Sequence, residues 1–69
     1  MLGTEWIEHF AEVLGIAPPT EAETETLLAL AGVAAHASER TAAPVACWLA
    51  ARARVEPRAA LDLARTIES

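Results

Sequence analysis

Lysine is absent from this chain of 69 residues, cysteine occurs once, and glycine occurs three times. A single cysteine cannot form an internal disulfide, which excludes the cross-linked frameworks of small secreted proteins. The scattered glycines form no glycine-rich phosphate loop. No basic segment precedes an apolar run, and no apolar run reaches the ~20 residues that a membrane span needs. We therefore predict a cytoplasmic protein that does not associate with a membrane.

Acidic residues outnumber basic ones ten to five, which gives a net charge of −5. All five bases are arginines within residues 40–69, whereas residues 1–39 hold seven glutamates and no arginine. Duplex-binding proteins present a basic stripe, so a nucleic-acid partner is not expected. The two unlike halves should attract each other, within one chain or between chains, although each exposed pair contributes on the order of 1 kcal/mol or less.

Alanine and leucine dominate the composition, with seventeen and eight residues. Alanine has the highest helix propensity, and no stretch alternates between apolar and polar residues with a period of two. Short connections between the helical segments favour antiparallel neighbours. We predict one all-α domain over residues 1–69, folded as a compact antiparallel bundle of four short helices whose apolar stripes cover one another.

Capping signals divide the chain into these four helices. Thr4 and Gly15 predict the start and the left-handed stop of a helix over residues 4–14. Thr20 and Glu23 fit a T-x-x-E capping box for a second helix over 21–37. The third helix starts after Thr41 and stops before residues 55–56, and the fourth covers residues 57–67.

Apolar residues at helical spacing define the faces that these helices should bury. On the first helix they are Trp6, Ile7, Phe10, Val13 and Leu14. On the second they are Leu27, Leu30, Ala31 and Ala34, with Leu28 and Ala35 at the margin. On the fourth they are Ala60, Leu61, Ala64 and Ile67. Gly32 interrupts the second stripe and suggests a close helix crossing.

Three residues could carry chemistry, but their pattern disfavours it. His9, His36 and Cys47 come from separate helices, without the paired spacing that zinc sites show. A nucleophilic cysteine would need an adjacent histidine and an orienting group, and none is identifiable. We expect no catalytic residue, no cofactor and no metal, with His9 solvated and Cys47 serving as a small buried hydrophobe.

Residues 36–44 (HASERTAAP) form the most unusual segment, a polar corner between two predicted helices. In one interpretation His36 caps a helix end, Glu39 and Arg40 pin the corner, and Pro44 starts the next helix. In the other, His36 and Arg40 form an exposed patch that binds an anion or a partner chain.

Two tryptophans are also ambiguous, because aromatic side chains fill cores and anchor interfaces alike. A chain this short hides only about 60% of the surface that its unfolded form exposes. A partly exposed tryptophan would therefore indicate self-association. The candidate residues for ligand or partner binding are His36, Glu39, Arg40, Pro44 and Trp48.

The segments WIEHFAEVLGI and HASERTAAP resemble a small actinobacterial family of uncharacterised helical domains. Members of that family occur alone or fused behind a molybdenum-cofactor guanylyltransferase. The residues that carry the resemblance are Trp6, Leu14, Gly15, His36, Glu39, Arg40, Ala43 and Pro44. The resemblance implies an accessory role near molybdenum-cofactor assembly.

The sequence as a whole predicts a non-catalytic accessory or interaction domain, not an enzyme. Its partner would be a second copy of the chain or a nucleotidyltransferase. The alternative is a binder of a small anionic ligand that uses residues 36–40.

Overall fold

The computed structural model describes residues 2–67. Four helices form in chain order: α1 (Gly3–Leu14), α2 (Glu21–Ala37), α3 (Ala42–Arg52) and α4 (Pro57–Ala64). The described residues contain no strand. The prediction of an all-α bundle of four short helices is confirmed. No helix in this part of the chain has both the length and the apolar character needed to cross a membrane.

The end of α1 follows the predicted pattern. Gly15 adopts a left-handed conformation with φ of 75°. Its N–H donates to the carbonyl oxygen of Glu12, and the N–H of Ile16 donates to that of Ala11, each at 3.0 Å. This pair of bonds is a Schellman motif, which satisfies two carbonyls that the helix end would otherwise leave free.

Three threonines were predicted to cap helices, and one does so. Thr20 accepts the N–H of Glu23 at 3.1 Å, and the Glu23 carboxylate accepts the N–H of Thr20 at 2.8 Å. The prediction for Thr4 is wrong, because α1 starts one residue earlier and encloses it. The prediction for Thr41 is also wrong, because its backbone is helical and its side chain makes no cap bond. An N-cap hydroxyl needs extended backbone to reach the first turn.

α4 is shorter than predicted and ends at Ala64 instead of residue 67. The N–H groups of Thr66 and Ile67 donate to the carbonyls of Leu63 and Ala64, three residues back. The hydroxyl of Thr66 also donates to the Leu63 carbonyl, and such local bonds compete with helical ones. Ile67, which was predicted to face inward, is 71% exposed.

α2 is the central helix, since it packs against both α3 and α4. Leu30 of α2 forms the core with Ala60 and Leu61 of α4, and Cys47 and Val55 pack against this cluster. α1 makes no comparably extensive contact with the other helices over residues 2–67. Its one buried residue is Ala11.

The expectation that the four apolar stripes cover one another is wrong. Only four apolar residues among those described are buried, while thirteen large ones are exposed. The chain exposes 5630 Å² of surface, whereas a compact monomer of its mass exposes about 4,200 Å². Its radius of gyration is 12.4 Å, against about 11 Å for a compact domain of this length.

The close helix crossing suggested by Gly32 is absent. A Cβ atom built on this residue would meet nothing within 4 Å. Gly32 therefore lies on an open part of α2, and its presence there is not explained by packing within the chain.

Candidate functional site

The polar corner lies where α2 gives way to α3. α2 ends at Ala37, with His36 exposed in its last turn. The hydroxyl of Ser38 donates to the carbonyl of Ala34 at 2.9 Å. A serine therefore performs the capping that one interpretation of the sequence assigned to His36. The imidazole of His36 remains on the surface.

Main-chain bonds hold the corner itself. The N–H groups of Ala42 and Ala43 donate to the carbonyls of Glu39 and Arg40, at 2.9 and 3.1 Å. The hydroxyl of Thr41 lies 3.5 Å from the Glu39 carboxylate. The Arg40 side chain is exposed. The ion pair found within residues 2–67 does not involve it and joins Arg58 and Asp62 on α4, whose charged atoms lie 3.7 Å apart.

Pro44 and Trp48 are one helical turn apart on α3, and both are exposed. The guanidinium of Arg52 lies 5.3 Å from the Trp48 ring centroid, within the range of a cation–π contact. Trp48 is 56% exposed and Trp6 is 54% exposed. Both tryptophans thus have the partial exposure that was expected to accompany self-association, and self-association itself stays a prediction.

The residues considered for chemistry do not converge. His9 is exposed, and Cys47 is half-buried against the core. No three histidine, cysteine or carboxylate side chains in the described ranges are grouped as metal ligands. A shallow polar depression includes Glu23, Glu56 and Arg58, and contains no residue of the corner.

The first of two exposed apolar surfaces is the stripe along α1, which we call the α1 face. The rings of Trp6 and Phe10 pack against each other on it at a tilt of 37°, with centroids 5.1 Å apart. Each of its members has at least two-fifths of its surface exposed, although the sequence predicted a buried stripe. The α1 face consists of Trp6, Ile7, Phe10, Val13 and Leu14.

The second surface is an open groove of about 270 Å³ between α3 and α4, which we call the α3–α4 groove. Leu30 of the core also borders it, so it opens directly onto the centre of the fold. Aliphatic side chains make up almost all of its lining. The large ones contributed by α3, α4 and the residues that follow are Leu49, Leu63 and Ile67.

The sequence predicts neither the α1 face nor the α3–α4 groove as a candidate site. Its apolar stripes predict buried faces, and its candidate binding residues lie in the polar corner and at Trp48, with self-association indicated by an exposed tryptophan. Pro18 and Pro19, which separate α1 from α2, are a signal in the sequence that α1 need not be buried. They impose an extended connection, which does not by itself bring α1 back onto the other helices. His36, Glu39, Arg40, Pro44 and Trp48 stay predicted binding residues.

These features define the class of the molecule, which is a small all-α domain with two exposed apolar surfaces. The chain belongs to the family described as a domain of unknown function, DUF6457, which it matches over residues 2–68. This match supports the predicted resemblance to an uncharacterised family. No curated protein and no solved structure matches the chain.

Proposed function

We propose that this protein is a non-catalytic interaction domain that binds another protein through its exposed apolar surfaces. The observation that carries the proposal is the α1 face. A helix of twelve residues is marginal in water by itself, because nucleation is costly and most helical stability comes from packing. α1 packs extensively against no other described helix. Its stability therefore requires a surface that another molecule supplies.

The composition of this face fits a binding role. Trp6 and Phe10 are adjacent aromatic side chains, and tryptophan is among the residues enriched at the few positions that dominate binding energy in protein interfaces. Exposed apolar patches of this extent are uncommon on proteins that act alone. Glutamates on the remaining sides of α1 would keep such a helix hydrated and limit non-specific adhesion.

A crosslinking experiment in cells tests the proposal. The photoreactive residue p-benzoylphenylalanine replaces Phe10 on the α1 face, or Glu12 on another side of the same helix as the matched control. Irradiation should join the first variant to a discrete protein, identified by mass spectrometry, and the control should give far less. Equal, diffuse labelling from both positions would show that no specific protein covers the α1 face.

We also propose that one partner is a molybdenum-cofactor nucleotidyltransferase and that the protein is cytoplasmic. The resemblance noted from the sequence supports the former, and the single cysteine favours the latter. Mixing the chain with the purified guanylyltransferase of the same organism tests the link by sedimentation. A complex that forms with wild-type chain and is lost with Phe10→Glu supports it. If the two proteins sediment independently, the proposed link to the guanylyltransferase is wrong.

A second candidate function is the binding of a small anion at residues 36–40. It is favoured by the exposure of His36 and Arg40, which leaves their donors open to solvent. A melting-temperature screen with phosphate, nucleotides and pterins tests it. A ligand-dependent rise that disappears in Arg40→Ala and survives in Arg65→Ala supports the site. The absence of any rise contradicts it.

A further inference from the structure

We infer that the protein covering the α1 face is a second copy of this chain, with α1 of each copy lying in the α3–α4 groove of the other. This inference rests on the proposed interaction function and names its partner. It starts from two apolar surfaces that are both unoccupied within one described chain. One is the exposed apolar stripe along α1, and the other is the shallow, open groove between α3 and α4.

Surface area supports a dimer. The chain exposes 5630 Å², about 1,400 Å² more than a compact monomer of its mass. Two copies that each covered this excess would bury about 2,800 Å² in total, within the range of obligate homodimers. A reciprocal exchange can bury an area of this size because the dimer contains the contact between α1 and the α3–α4 groove twice. Twofold symmetry closes the assembly and leaves neither surface open.

Charge distinguishes this arrangement from a pairing of two α1 faces. α1 carries three glutamates and no arginine, so two adjacent copies of α1 would repel each other. The region of α3 and α4 carries four arginines against two carboxylates. These are Arg52, Arg54, Arg58 and Arg65 against Glu56 and Asp62. Acidic α1 beside basic α3 and α4 brings unlike charges together, which favours the correct register and faster association.

Site-specific crosslinking tests the arrangement. In a Cys47→Ala background, one chain carries Phe10→Cys and a second chain, with a larger affinity tag, carries Leu63→Cys. A short bis-maleimide joins thiols that lie within its reach. Mixing the two chains should yield a crosslinked heterodimer, whereas each chain alone should remain uncrosslinked. Glu8→Cys, on a polar side of α1, replaces Phe10→Cys in the matched control and should give little heterodimer.

Each other outcome overturns the inference. A crosslinked dimer from Phe10→Cys alone would show that two α1 faces pair, and one from Leu63→Cys alone would show that two grooves pair. A doubly substituted chain that crosslinks internally, without dimer, would place α1 in its own groove. A dimeric mass without any crosslink between the mixed chains would also exclude the exchange.

Sedimentation equilibrium provides the second measurement. The wild-type chain should have twice its monomer mass of 7.3 kDa at micromolar concentration. Phe10→Glu should weaken dimerisation about 30-fold or more, the effect of losing an interface anchor. His9→Glu, which adds the same charge outside the α1 face, should change it little. Circular dichroism verifies that both variants remain helical.

The two proposals fail separately. A wild-type chain that stays monomeric at all concentrations, yet still gives a discrete adduct from position 10 in cells, would overturn the dimer and retain the interaction function. A monomeric chain with no specific adduct would overturn both.

Discussion

α1 and α2 follow equally clear local signals, yet they have opposite relations to the rest of the fold. From residue 27 to residue 35 every residue of α2 is apolar or glycine, a pattern typical of a helix surrounded by others. α2 accordingly packs against both α3 and α4. α1 has one apolar face and polar residues elsewhere, and that face is exposed. The comparison shows that a one-sided pattern predicts a face that must be covered but not the molecule that covers it.

The largest expected loss of stability comes from a substitution at the centre of α2. Leu30 is 3% exposed, whereas Leu28 on the same helix is 68% exposed. Leu30→Ala should lower the free energy of unfolding by about 3–5 kcal/mol, through lost burial and the cavity that remains. In a domain this small that loss leaves little folded protein at room temperature. Urea denaturation followed by circular dichroism measures it.

Leu28→Ala is the matched control and should change stability by less than about 1 kcal/mol. Equal losses in the two variants would contradict the central position of α2 and the identity of the core.

The ends of α1 and α3 give the next largest effects, because both close with a left-handed residue. Gly15 has φ of 75° and Arg54 has φ of 58°. A left-handed conformation costs a residue with a side chain roughly 1–2 kcal/mol, and glycine almost nothing. Gly15→Ala should therefore destabilise by about 1 kcal/mol, and Arg54→Gly should stabilise by a similar amount. Thermal denaturation at fixed protein concentration measures both, and changes of the same sign would contradict the assignment.

The starts of α1 and α2 differ in their capping, and two threonine variants test this difference. Thr20 makes the capping box of α2, whereas Thr4 lies inside α1 and caps nothing. Thr20→Ala should cost about 1 kcal/mol. Thr4→Ala should be neutral or slightly stabilising, because alanine is the better helix former. A larger loss from Thr4→Ala, measured by urea denaturation, would restore the cap that the sequence predicted there.

The smallest effect concerns Gly32 in the middle of α2. Open space surrounds the position of its missing Cβ atom. Gly32→Ala should therefore stabilise the fold by about 0.5–1 kcal/mol, since glycine loses more backbone entropy in a helix. Urea denaturation followed by circular dichroism measures this effect. Destabilisation there would reveal the close crossing that the sequence suggested.

Much of the local structure could be predicted from particular residues. The capping box at Thr20 and Glu23 and the stop at Gly15 each act through bonds within one helical turn. The predicted start of α2 agrees with the structure for this reason, and its predicted end agrees as well. Errors arise where a side chain competes with the helix for a main-chain carbonyl, since the sequence pattern does not predict which bond forms. The hydroxyl of Thr66, for example, donates to a carbonyl at the end of α4.

The candidate site was less predictable. The corner at residues 36–44 contains unusual polar residues, but main-chain bonds and the Ser38 and Thr41 hydroxyls hold it together. The α1 face was recognised as a stripe and was wrongly assigned to the core. A stripe has the same residues whether its own chain or another molecule covers it, so periodicity cannot distinguish the two.

Local sequence patterns specify where the helices form, how most of them begin or end, and which face of each is apolar, because these properties depend on residues within a few positions of one another. Which apolar faces meet is settled by long-range packing. Leu30, Ala60 and Leu61 come together from distant parts of the chain, and Phe10 and Leu63 do not enter that core. The physical reason is that burial depends on contacts between remote segments, whose pairing no local pattern specifies.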